Sequence, residues 1–121
     1  MTAQATLHDH DSLEWEPVTD LFQRKLITGE KVMMAHLRLR AGCLVPMHSH
    51  HNEQLSYVIR GKLRFRVGED ETEVILGAGQ TLHLPSDLPH AAEALEDTEG
   101  IDVFSPPRAD WLDGTDDYLR R

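Results

Sequence analysis

Cysteine occurs once in the 121 residues, at Cys43, so no disulfide can form within the chain. A cytoplasmic, reducing setting is the default expectation for such a protein. Long apolar runs are missing too. No stretch approaches the ~20 residues of a membrane-spanning helix, and the polar amino terminus carries no basic-then-apolar leader, so neither a span nor a signal peptide is expected. Basic residues are scarce: 12 Lys and Arg stand against 21 Asp and Glu, a formal net charge of −9. The acidic residues cluster at 69–73, at 96–99 and around 110–117, where solvated turns and a solvated tail are the simplest reading. Nucleic acid and anionic membranes need concentrated Lys and Arg and are disfavoured as partners. An anionic small molecule stays compatible if positive groups lie inside a cavity. Helical amphipathic patterning is almost absent before the C terminus, and there are no internal repeats or low-complexity stretches.

What is present is dense punctuation by Gly29, Gly42, Gly61, Gly68, Gly77, Gly79, Pro85 and Pro89. In a chain of single-domain length, that rhythm predicts short antiparallel strands in a sandwich or small barrel. Residues 31–40 alternate, with Met33, Ala35, Leu37 and Leu39 on one face and His36, Arg38 and Arg40 on the other. Residues 54–59 set Gln54, Ser56 and Val58 against Leu55, Tyr57 and Ile59. If Gln54 points inward, the apolar stripe points outward and needs a cover; a second subunit is the economical one, and a homodimer is expected. Leu63, Phe65 and Val67 form a core face, residues 81–84 a strand leading to the Pro85 turn, and residues 101–105 the last strand. Residues 15–28 hold one or two first strands, candidates for exchange across the dimer. Residues 1–12 are expected to be flexible. A short helical turn pinned by Trp111 is expected within residues 110–121.

The densest chemistry lies between Gly42 and Gly61, where His48 and His50 stand one residue apart and Gln54 follows four further on. Residues i and i+2 of a strand share a face, so the two imidazoles can converge on one ion, and Gln54 keeps that facing if no bulge intervenes. Imidazole suits zinc, iron, nickel, copper and manganese. His90 supplies a third histidine after the Pro85 turn. His8 and His10 have the same spacing but sit in an acidic, unpatterned terminus and are read as solvated.

These two segments resemble the cupin family. The first cupin motif is matched by Gly42, His48, His50 and Gly61, with Gln54 where a glutamate is usual. The second is matched by Gly79, Pro85 and His90, while Asp87 replaces a glycine and Ala94 an asparagine. The resemblance implies an all-β fold, a cupin jelly-roll (double-stranded β-helix) barrel, over residues 13–107, with 108–121 as a C-terminal tail. It also implies one divalent metal ion on His48, His50, Gln54 and His90. That donor set is compatible with nickel, zinc, manganese or iron. The neutral Gln54 removes a negative charge from the set and leaves the ion more positive.

Asp102 and Phe104 share a strand face, and parity alone leaves open whether that face is inward or solvated. Together with Arg108 they extend the resemblance to the KdgF-type pectin-degradation cupins, which linearise unsaturated uronates left by pectate and alginate lyases. The likeness implies a small anionic sugar as substrate. Its carboxylate would sit in the planar fork of Arg108 and its ring against Phe104, with Asp102 moving a proton as an enol becomes a ketone. Two other readings stand beside it. One is an iron or copper cupin dioxygenase, disfavoured by Gln54. The other is a non-catalytic cupin that binds a sugar or a metal.

The remaining polar residues carry weaker expectations. Strand alternation turns His51 away from the metal, and His83 is read as a packed histidine. Glu53 can replace Gln54 as ligand only through a bulge. Arg24 and Lys25 either contact an anion or pair with acidic groups, and Cys43 is read as a buried small residue rather than a nucleophile.

Overall fold

Alternation in the sequence becomes alternation in burial. A computed structural model describes residues 3–120, so the expectations for Met1, Thr2 and Arg121 lie outside the described residues. Among the described residues there are ten strands: β1 (Glu16–Thr19), β2 (Phe22–Thr28), β3 (Met33–Leu39), β4 (Leu44–His48), β5 (Glu53–Arg60), β6 (Lys62–Val67), β7 (Thr72–Gly77), β8 (Thr81–Leu84), β9 (His90–Ala94) and β10 (Thr98–Ser105). Helix α1 (Ala109–Asp113) and a 3-10 turn at Asp117–Leu119 follow, and a 3-10 turn at His10–Ser12 precedes them.

The strands form two antiparallel sheets, one of six strands in the order β1-β2-β3-β10-β5-β8 and one of four in the order β4-β9-β6-β7. Met33, Ala35, Leu37 and Leu39 of β3 are all buried, and β5 buries Gln54, Ser56 and Val58 while exposing Leu55, Tyr57 and Ile59. The two inward faces enclose a core that includes Val58, Leu63, Phe65, Leu84 and Phe104. This is the jelly-roll barrel expected from the motifs.

β1 and β2 pair in cis, β2 running along β3 from Phe22↔Leu39 to Thr28↔Met33. The register gives each a neighbour within the chain, and β1 is left as an edge strand of the six-stranded sheet. Residues 3–9 are irregular and exposed, but His10 is half-buried with its Nδ1 2.9 Å from His36 Nδ1, so the reading of His10 as solvated is corrected. Gly61 turns the chain from β5 into β6 at φ +101°, where an added Cβ would stand 2.4 Å from Thr98 Oγ1 and 2.5 Å from the Asp97 carbonyl oxygen. Only glycine fits that close approach. It keeps β5 and β6 in the two different sheets that face each other across the barrel.

Candidate metal centre and active site

β4 delivers His48 at its last residue, and register pairs it with His90 at the first residue of β9. His50 lies beyond the end of β4, in the loop before β5. Strand parity therefore does not bring it to the centre; a backbone contact does, since its Nδ1 lies 3.0 Å from the Asn52 carbonyl oxygen. The other two rings are held the same way, His48 Nδ1 2.7 Å from the Pro46 oxygen and His90 Nδ1 2.9 Å from the Leu88 oxygen. A carbonyl can only accept, so each Nδ1 carries the proton and each Nε2 keeps a lone pair.

Those lone pairs converge. Ligand atoms of His48, His50 and His90 lie within 4.8 Å of one another. His90 Nε2 is buried without a hydrogen-bond partner. Gln54, buried on β5, has its amide nitrogen 2.9 Å from Ser56 Oγ and 3.3 Å from Asp102 Oδ2, which turns its Oε1 toward His50 Nε2 at 3.1 Å. Two acceptors thus face each other at the separation of adjacent ligands on one ion, about 3 Å for bonds of about 2.1 Å at right angles. The residues fit a divalent metal. Burial pushes His48 and His50 down to about 4, the neighbouring cationic groups adding to it against the backbone contacts, and burial lowers His90 as well. All three imidazoles are therefore neutral at neutral pH, the form that binds a metal.

β10 supplies the face opposite. Asp102 points inward beside Gln54, and burial raises its carboxyl to about 7 against the lowering effects of Ser56 and the Arg108 charge. Phe104 is fully buried and meets His50 and Trp111 edge-on. Arg108 is buried at the start of α1, and its Nε and Nη2 hold Asp110 in a two-point pair at 3.0 and 2.9 Å. The fork expected for a substrate carboxylate is thus occupied by a carboxylate of the chain itself.

Several residues at the site carried no signal in the sequence. Asn52 is buried, and its amide donates to the carbonyls of Pro106 and Pro107, anchoring the strand end that carries Arg108. Ser56 holds the Gln54 amide. Tyr118 lies with its ring 4.8 Å from His48 and its hydroxyl 2.6 Å from Arg108 Nη2. Nothing in the spacing of 110–121 foretold that contact. His51 is exposed, as expected. His83 is exposed rather than packed, paired with Glu53 at 2.6 Å on the outer face, because β5 keeps its register over Gln54–Tyr57 and both side chains point away from the barrel. Arg24 pairs with Glu16 and Asp116, so the acid-pairing alternative holds for it. Lys25 donates to the His10 carbonyl and lies over the Trp15 ring. Burial drives the Cys43 thiol up to about 11, which suits a small core residue and not a nucleophile.

A family profile described as a cupin domain matches residues 35–104. The chain belongs to the cupin family. Among curated cupin relatives, the pectin degradation protein KdgF of Dickeya dadantii is 32% identical over 105 residues, covering 84% of this chain and 94% of the relative. Oxalate decarboxylase OxdC of Bacillus subtilis is 29% identical over 77 residues, 61% of this chain but 20% of that protein. Among solved structures, KdgF from a Halomonas species superposes with a TM-score of 0.83 at 27% identity, over 90% of this chain and 100% of that one. An RmlC-like cupin from Shewanella frigidimarina gives 0.81 at 25% identity, covering 92% and 99%. The departure from the cupin pattern at Asp87 proves mild in this fold. Asp87 adopts φ +67°, the conformation a glycine takes freely, and its amide donates to the His50 carbonyl at 2.9 Å. The turn before His90 is kept at some strain.

Proposed function

We propose that this cupin is a metal-dependent enzyme that converts unsaturated uronates from pectin or alginate breakdown to linear keto forms. The observation that carries the reading is Asp102. It is a carboxyl drawn into the barrel, hydrogen-bonded by the Gln54 amide and poised near neutrality by burial. A storage or sensing cupin needs no such group, whereas a carboxyl titrating near pH 7 both takes and gives protons efficiently. The 32% identity with a protein named for pectin degradation supports the substrate class.

In the proposed reaction a base takes the anomeric hydroxyl proton as the ring C–O bond breaks, and the released enol is protonated on carbon to become a ketone. No atom is gained or lost and no oxidant is needed. Asp102 moves the proton, and Gln54 Nε2 fixes the oxygen that carries it. Arg108 and His48 both line an inner cavity and a cavity at the mouth, so Asp102 lies below the point where the two meet. Phe104 packs edge-on under His50 and against Trp111, giving the site an apolar floor. A bound divalent ion (nickel, zinc, manganese or iron) on His48, His50, Gln54 and His90 would supply Lewis acidity to a substrate oxygen. A homodimer in the cytoplasm, its subunits joined over Leu55, Tyr57 and Ile59, completes the proposal.

The test is to incubate metal-loaded protein with unsaturated galacturonate and follow loss of the enol absorbance in the ultraviolet. A rate well above buffer is expected. No rate above buffer with metal bound overturns the reading.

A further inference from the structure

The inner cavity, lined by Leu37, Phe65, Asp102, Phe104 and Trp111 among others, has a volume of about 50 Å³. The cavity at the mouth, lined by His48, His50, Asn52, Arg108, Asp110 and Tyr118 among others, measures about 510 Å³. Pockets for small molecules run from roughly 300 to 1,000 Å³. The inner space therefore admits water, and a sugar-sized ligand is held at the mouth.

The Nε–Nη2 edge of Arg108 is closed to a ligand at the mouth. Arg108 is committed through Nε and Nη2 to Asp110, and the same Nη2 donates to the Tyr118 hydroxyl at 2.6 Å. Trp111 Nε1 donates to that hydroxyl as well, at 3.3 Å. A phenol oxygen has two lone pairs and one proton, and neither guanidinium nor indole can accept. Both lone pairs of Tyr118 are thus taken by donors, and its proton is left for a third partner. The guanidinium charge behind it strengthens that donor.

Tyr118 is fixed in place from the far side. Asp116 is fully buried and contacts Arg24 at 2.7 Å and Arg120 at 3.0 Å, while Glu16 contacts Arg24 at 2.9 Å and Arg120 at 3.1 Å. The four groups close a ring that ties the C-terminal segment to β1 and β2. Arg24 lies over Trp111 at 4.6 Å, below the same segment.

We infer that Tyr118, rather than the fork of Arg108, donates the hydrogen bond that recognises the acid group of the substrate, with Asp110 and Arg108 as positioning residues behind it. The inference rests on the uronate reading for the ligand's class. Its test uses galacturonate, which lacks the ring double bond, as a binding probe for the zinc-loaded protein by calorimetry, with galactose as the probe lacking the carboxylate. Tyr118→Phe keeps the ring on His48 and removes the proton. Galacturonate is expected to bind about tenfold or more weakly to the variant, the loss of one hydrogen bond to a charged group, with zinc content and galactose binding unchanged. Equal galacturonate affinity in variant and parent overturns the inference, as does failure of the parent to bind galacturonate or an equal loss for both sugars. The uronate reading falls separately, by absence of turnover in the parent protein.

Discussion

Gln54 serves the site with both ends of one amide. Its oxygen faces His50 Nε2 and its nitrogen holds Asp102. The histidine spacing made the donor set legible in the sequence, because His-x-His between bounding glycines is a rare pattern with a metal reading. The orientation of Asp102 was not legible, since strand parity allows either face. The contact with Gln54 across β5 and β10, with Phe104↔Gln54 and Asp102↔Ser56 in register, is what turns it inward. Asp102→Asn keeps the shape and the hydrogen bond to Gln54 but cannot carry the proton. It is expected to lower kcat by about 10²–10⁴-fold in the ultraviolet assay, with metal content by elemental analysis unchanged. Activity within a few-fold of the parent would remove Asp102 from the mechanism.

Among the elements, the C-terminal segment decides most about the mouth. Its helical turn was readable from Trp111 and the intervening polar residues, and α1 confirms it with Trp111 buried against Phe22 and Phe104. Its docking was not readable, because Arg24 and Asp116 lie 92 residues apart and no local pattern links two single charges. In Asp116 burial opposes ionisation, but Arg120 and Arg24 outweigh it and hold the carboxyl below its ordinary range. Asp116→Ala leaves Arg24 buried beside Glu16 alone. Such a broken pair costs about 3–5 kcal/mol, so the urea midpoint is expected to fall and turnover to fall with it as Tyr118 leaves the mouth. Turnover and midpoint both unchanged would show that the ring holds nothing in place.

For the whole molecule, the two sheets leave Leu55, Tyr57 and Ile59 of β5 at 44%, 41% and 37% exposure on the outer face. Leu55→Asp is expected to halve the mass seen in sedimentation, without changing the fold by circular dichroism, if that stripe is the subunit contact. A parent protein that sediments as a monomer removes the dimer. Acid stability is also a property of the whole barrel. His48 and His50 sit near 4 in the folded chain, against 6.5 when free. Between those values the unfolded chain binds protons that the folded chain excludes, so their stabilising contribution is complete above about pH 6.5 and is lost as the pH falls through 4. Glu16 and Asp116, both lowered, add a further loss below the ordinary carboxylate range. Urea midpoints of metal-free protein are expected to be flat above about pH 8 and to decline from about 6 to 4, His48 and His50 together outweighing the opposite contribution of Asp102. A midpoint that stays level over that interval contradicts the burial of these rings.

The sequence alone determined the strands, the barrel and the three histidines that gather in it. Period-two alternation is a local pattern that local geometry turns into strands, whereas the histidines meet through the pairing of β4 with β9 and the turn that carries His50. Only the tertiary structure decided which donors remain free at the mouth. Asp110 filling the Arg108 fork, Tyr118 on His48 and the Glu16–Arg24–Asp116–Arg120 ring each join groups whose meeting depends on how the C-terminal segment packs. Packing of that kind is set by the shape of the closed barrel and the need to pair every buried charge, and neither is written in the spacing of residues along the chain.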